Sequence, residues 1–289
     1  MRPGMRLWLG LMWLLHWLPL PLLAPLGRGL GLVFWLLVRE RRHVALTNLG
    51  LCFPQLAEAE KSALARRHFM AFGRAMLELG LWWWASPARI RRLVVIEHGE
   101  RLAAARGRPL ILFAPHFVGL DAGWTRLTLE ADMVTVYAKA KNPLFDAALR
   151  RGRSRFGHSL LVSRLEGVRK ILDPLRRELP FYYLPDMDYG RKDAVFVPFF
   201  GIPAATITGL ARLAELTGAT VLPVITRQVG HRYVLSIGEA WADYPGEDIA
   251  AATRRMNAFL EGEIRRTPEQ YLWIHKRFKT RPEGEKAVY

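Results

Sequence analysis

A single cysteine, Cys52, stands among 289 residues. No internal disulfide can form, and no zinc cluster can be built from cysteine. Acidic residues are scarce: 26 Asp and Glu against 42 Lys and Arg leave a formal charge of +16. A Gly-x4-Gly-Lys-Ser/Thr loop is missing, which removes P-loop phosphoryl transfer. So is a Gly-x-Ser-x-Gly elbow, which removes the usual α/β-hydrolase nucleophile. The histidines are too scattered for a short-range metal motif, and Cys52, in Leu51-Cys52-Phe53-Pro54, reads as a small core residue. No internal repeat, low-complexity tract or flexible linker divides the chain.

What is abundant is apolar. From Leu7 to Leu26 no residue is formally charged, apart from a protonatable His16, and a second apolar stretch runs from Gly29 to Val38 before Arg39-Glu40-Arg41-Arg42 ends it. About twenty apolar residues suffice to cross a bilayer. Pro19, Pro21 and Pro25 argue against one straight helix. A cleaved signal peptide is disfavoured, because the apolar character continues past any cleavage site. A single spanning helix and an interfacial or re-entrant hairpin stay open. Arg28, Arg39, Arg41 and Arg42 outnumber Arg2 and Arg6, which favours a cytoplasmic C-terminal side. Residues 1–42 are therefore expected to be a membrane anchor, and 43–289 the remaining domain, with a helical lead-in to about residue 98. Trp8, Trp13, Trp17 and Trp35 suit a membrane interface; Trp82-Trp83-Trp84 suits either an interface or packing.

The positive charge attracts polyanions: nucleic acid, anionic lipid, phosphorylated substrates or an acidic carrier protein. Charge alone does not choose among them.

Leu64, His68, Phe72, Met76 and Leu79 recur at helical spacing, so a helix is predicted from Glu58 to Trp84, with Ser86-Pro87 as a stop and restart signal. Beyond Glu97, short apolar runs at 110–114, 133–138, 179–184 and 221–226 read as strands. Helical segments at 144–156, 165–178 and 208–218 lie between them. This alternation predicts an α/β domain around a parallel or mixed sheet flanked by helices.

Ala114-Pro115-His116-Phe117-Val118-Gly119-Leu120-Asp121 follows the first of these strands. On a continuous helix, positions five apart diverge by about 140°. A His116/Asp121 partnership therefore needs a turn, for which Gly119 supplies freedom. The pair permits general-base catalysis, with the carboxylate fixing the imidazole. A structural histidine and a helix-capping aspartate are the plainer reading. Arg150 to Arg155 forms a basic stretch, read as a solvated helix face or an electrostatic patch. Pro185-Asp186-Met187-Asp188-Tyr189-Gly190 reads as an Asx-type turn, or as a poor cation site.

These segments together resemble the lipid A biosynthesis lauroyl/myristoyl acyltransferase family across nearly the whole chain. The resemblance is carried by Pro115-His116-Phe117 with Asp121, and by Asn142-Pro143-Leu144 with Gly152-Arg153. Pro185 to Gly190 continues it into Val195-Phe196-Val197-Pro198-Phe199-Phe200-Gly201, and Pro268 to Pro282 closes it. It implies a glycerolipid-acyltransferase fold and transfer of a fatty acyl chain from acyl carrier protein to a hydroxyl of a lipid A precursor at the inner membrane. It implies no cofactor, no metal and no nucleic-acid partner. The family's His-x4-Asp/Glu motif maps onto His116 and Asp121; many members carry Glu at the second position. Its functional arginine and aspartate map onto Arg153 and Asp186. Arg153 is expected to contact a lipid phosphate or to position the catalytic carboxylate, and Asp186 to order the site. Within the same fold a glycerophospholipid or phosphoinositol-mannoside acyltransferase is the alternative. A hydrolase, or a non-catalytic module binding anionic lipid, would use the same charges differently.

Overall fold

The computed structural model describes residues 3–289. The two apolar stretches fold as two helices, α1 (Pro3–Leu15) and α2 (Leu20–Leu37), with α2 running from the end of the first stretch through the second. The break falls just before Leu20, and Pro21 sits in the first turn of α2, where its missing N–H costs nothing. Pro25 is accommodated inside α2. After α3 (Arg39–Cys52) comes α4, which spans Glu58–Trp84, the bounds that its apolar spacing predicts. Glu60 closes the start of α4 by accepting from Ala57 N at 2.8 Å. Ser86 caps α5 (Pro87–Leu93) by accepting from Arg89 N.

The remaining chain alternates strand and helix. It runs β1 (Val94–Glu97), α6 (Gly99–Ala104), β2 (Leu110–Phe113), α7 (Leu120–Leu127), β3 (Val134–Tyr137) and α8 (Pro143–Arg153). It continues β4 (Leu160–Ser163), α9 (Arg169–Arg176), β5 (Phe181–Tyr183), β6 (Ala194–Phe199), β7 (Ile202–Ile207) and α10 (Gly209–Thr217). It ends β8 (Thr220–Val229), β9 (Arg232–Ile237) and α11 (Ile249–Arg266), with a short 3-10 turn at Pro268–Gln270.

Seven strands form one sheet in the order β1-β9-β8-β2-β5-β3-β4. The neighbours from β8 to β4 pair in parallel, as do β1 and β9, and only β8–β9 is antiparallel. The sheet is thus mixed and flanked by helices, the expected class. β6 and β7 form a separate antiparallel hairpin. The four apolar runs give β2, β3, β5 and β8. β2 is buried along its whole length, as a central strand covered on both faces should be. β4 has the same length but lies at the sheet edge, where Leu160 is exposed and only Val162 is buried. β9 alternates buried Tyr233, Leu235 and Ile237 with less buried neighbours, the period of a strand with one covered face.

One core layer packs α4, α5 and α7 against the sheet; the other packs α9, α10 and α11 on the opposite side. Trp82 and Trp83 belong to the first layer, and Trp82 meets Tyr233 edge-on at 5.1 Å. That part of the tryptophan run is packing. Cys52 is buried in a third cluster with Leu49, Phe69 and Trp273.

Candidate active site

Strand register brings the two central residues together. β2 and β5 are parallel neighbours with Phe113 opposite Tyr183, and Ala114 N donates to Tyr183 O at 2.8 Å. Each strand then leaves the sheet through a proline: Ala114-Pro115-His116 on one, Leu184-Pro185-Asp186 on the other. His116 and Asp186 therefore sit three residues beyond paired positions, side by side at the carboxyl ends of parallel strands. Open α/β sheets commonly bind ligands there.

Asp186 is fully buried and spends both oxygens on His116. Oδ1 lies 2.8 Å from Nδ1, and Oδ2 accepts from the His116 backbone N at 3.0 Å. A carboxylate only accepts, so Nδ1 is the nitrogen that donates to Asp186, and in the neutral tautomer this leaves the lone pair on Nε2. The His116 side chain is one-fifth exposed, so this lone pair belongs to a ring that solvent or substrate can reach. Burial alone would raise the Asp186 carboxyl; His116 outweighs it and holds the carboxyl below the usual range.

This corrects the expected partnership. Asp121, in the first turn of α7, does not hold the imidazole; its Oδ1 accepts from Arg153 Nε at 2.7 Å. Arg153 ends α8, and its backbone oxygen accepts from Trp124 Nε1 at 2.9 Å. Burial disfavours the guanidinium charge, but Asp121 more than compensates and raises its pKa. Arg153 thus bonds the Asp121 carboxylate. The correction has a simple cause. The carboxylate that strand register delivers is Asp186, whereas Asp121 begins a helix that faces the end of α8.

Gly119 has a second correction attached. Its φ of −84° is open to any residue, so conformational freedom is not its reason. A Cβ there would run into the backbone oxygen of Thr226, and one at Gly123 into the Thr226 side chain. Both glycines let the start of α7 lie flat on β8. Asn142 caps α8 by accepting from Leu144 N and Phe145 N at 3.0 and 3.2 Å, with Pro143 at the first helical position. That accounts for Asn142-Pro143-Leu144 as a helix start that aims Arg153.

The C-terminal segment forms the other wall. Val118 N donates to Gln270 O at 2.9 Å, and Leu272 N donates to His116 O at 3.1 Å. The loop carrying His116 is thereby pinned on both sides of Phe117, which meets Tyr271 at 5.9 Å between ring centroids. Asp188 is committed to structure: it accepts from Thr280 N (2.7 Å), Thr280 Oγ1 (2.8 Å) and Gly190 N (2.9 Å). The last of these is the expected Asx turn. Asp188 N in turn donates to His275 Nε2 at 3.1 Å. Burial, with help from His116 and Arg277, lowers the His275 pKa to about 4, so this ring stays neutral beside the His116–Asp186 pair. His275 had no spacing signal in the sequence, because it reaches Asp188 from 87 residues away. Burial pushes the Cys52 thiol well up, in keeping with a core residue rather than a nucleophile.

A family model for bacterial lipid A biosynthesis acyltransferases matches residues 3–280. The lipid A biosynthesis palmitoleoyltransferase of Escherichia coli (strain K12) is 35% identical over 286 residues, which cover 97% of this chain and 92% of that one. The lauroyltransferase of the same organism is 34% identical over 98% of this chain and 94% of its own length. Its myristoyltransferase is 32% identical over 93% and 83%.

Proposed function

Since the chain belongs to the bacterial lipid A biosynthesis acyltransferase family and is an acyltransferase, we propose that it moves a fatty acyl chain from acyl carrier protein to a hydroxyl of a lipid A precursor, with His116 as the general base. The observation that carries the reading is the His116–Asp186 pair, which leaves Nε2 free on an accessible ring. The hydroxyl gives its proton to Nε2 as its oxygen attacks the thioester carbonyl. Asp186 fixes the tautomer and balances the imidazolium that forms. The tetrahedral intermediate collapses, the C–S bond breaks, and the proton held on Nε2 passes to the departing thiolate. No covalent acyl-enzyme is needed, which suits a site whose only cysteine is buried elsewhere.

Asp121 and Arg153 take a supporting part. Arg153 holds the Asp121 side chain in place at the start of α7, five residues beyond the base. A guanidinium with further N–H groups also suits a phosphate of the acceptor lipid. The glycerolipid-acyltransferase fold and a place at the cytoplasmic face of the inner membrane complete the reading. The exposed leucines and tryptophans of α1 and α2 support the membrane part.

The test is acyl transfer from acyl carrier protein to a lipid A precursor by the His116→Ala enzyme. A loss of about 10³-fold in turnover is expected, the usual range for a general base; wild-type turnover would overturn the proposal. Mass spectrometry of lipid A from cells with and without the protein would report chain length and position.

A further inference from the structure

The N-terminal helices are fastened to the catalytic domain by a seam of glycines. α2 runs against α4 so closely that a Cβ at Gly27 would stand 2.5 Å from Arg74 Cα. A Cβ at Gly31 would meet the backbone of Phe69 and Met70, and one at Gly73 would reach within 2.6 Å of Gly27 O. α1 joins in the same way: a Cβ at Gly80 would lie 2.5 Å from Met12 O. Trp35 adds an edge-on contact with Phe69 at 5.5 Å. Small residues at these crossings are what allow backbones to touch.

α4 is in turn bolted to the sheet. At the level of this seam Arg74 donates to Glu78 Oε1 (2.7 Å) and to Gly230 O (2.8 Å), and Tyr233 of β9 donates to Glu78 Oε2. Arg66 and Arg67 on α4 are exposed.

The outer face of the two helices is apolar. Leu7, Leu14, Trp17, Leu22, Leu26, Leu36 and Leu37 are each more than half exposed. Patches of this kind mark a partner or a membrane. Tryptophans and the cationic run Arg39, Arg41 and Arg42 beside it fit the interface and headgroups of an anionic leaflet better than a protein surface.

By length and composition α2 could cross a bilayer. Its setting forbids this. Arg28 is exposed halfway along α2 and would stand near the centre of the hydrocarbon. A crossing α2 would also either draw α4 and the strands behind it into lipid or tear the glycine seam open. α1, with 13 residues, is too short to cross.

We propose that α1 and α2, each packed on α4, lie along one leaflet of the membrane in its plane, apolar face down, and that neither helix crosses it. The proposal refines the membrane part of the reading above and is independent of the acyl-transfer chemistry. Anchor and catalytic domain then form one body, and the leaflet lies beside the mouth of the site. The link is direct: Gly152, next to Arg153, packs against Trp83 of α4 so closely that a Cβ would clash with the indole.

The test uses the near absence of thiols, since the one native cysteine is buried. Single cysteines at Gly4, which has open space around it, and at exposed Glu283 are labelled with a membrane-impermeant maleimide in inside-out and right-side-out vesicles. Two in-plane helices leave both positions labelled in the same vesicle orientation. Labelling of Gly4→Cys and Glu283→Cys in opposite orientations would overturn the proposal. A second arm asks whether lipid is the occupant. Purified Leu36→Glu/Leu37→Glu protein, with unchanged circular dichroism, is expected to bind vesicles of phosphatidylglycerol and phosphatidylethanolamine at least tenfold more weakly. Undiminished binding would place the contact elsewhere.

Discussion

Two arginine–carboxylate pairs in this molecule share a geometry and differ in almost everything else. Arg74–Glu78 and Arg153–Asp121 both close through Nε at 2.7 Å. The first is sealed, with side chains 2% and 0% exposed; in the second both side chains are about one-fifth exposed. In the sealed pair, burial pushes the Glu78 carboxyl up against the pull of Arg74 and Tyr233. In the open pair the balance reverses: Asp121 outweighs burial and strengthens the charge on Arg153. The same contact is therefore sealed from solvent in one place and open to it in the other. The surroundings decide the balance, because the desolvation cost of a charge depends on how much solvent it keeps.

The sealed pair should give the largest effect on stability. Arg74→Met strands a buried carboxylate and is expected to cost about 3–5 kcal/mol in chemical unfolding, with Glu78→Leu on top recovering part of it. A loss below about 1 kcal/mol would show that the two pairs do not differ as described. The open pair should behave in the opposite way. Arg153→Ala is expected to lower kcat about 10²-fold (about 2.7 kcal/mol in the barrier), with melting nearly unchanged; a fall in melting temperature to match Arg74→Met would erase the distinction.

Acid sharpens the comparison from the side of the buried histidines. Burial lowers the His68 pKa to about 4, as it does for His275. The unfolded chain takes up a proton near pH 6.5 that the folded one refuses. Stability should then fall as pH drops from about 6.5 towards 4, by about 1 kcal/mol for His68 at one unit below 6.5. A His68→Gln protein that keeps its cooperative unfolding should show a shallower decline between those values; an unchanged slope would contradict it.

Much of this was legible in the chain, and the reasons for the rest are physical. α4 was readable because apolar residues recur at helical spacing from Leu64 to Leu79, before the helix becomes buried all round at Leu77–Trp83. β2 was readable because a strand covered on both faces is apolar at each position. The sequence singles out His116, Asp121, Arg153 and Asp186 as candidates, but not which of them bond each other. His116 and Asp121 look like partners because they are five apart, whereas pairing is set by which strands lie side by side. One clue was present: Ala114-Pro115-His116 and Leu184-Pro185-Asp186 repeat a strand–proline–polar pattern. It becomes informative only once β2 and β5 are known to be neighbours in register. The roles of His275 and Gln270 were out of reach, because they depend on the chain returning to the site after α11.

The central claim is that His116 and Asp186 act as one unit. The most direct measurement is a mutant cycle on the acyl-transfer rate with His116→Ala, Asp186→Asn and the double variant. Residues that work as a unit are strongly non-additive. The double variant should be no slower than His116→Ala alone. Losses that multiply would show that Asp186 does not act through His116.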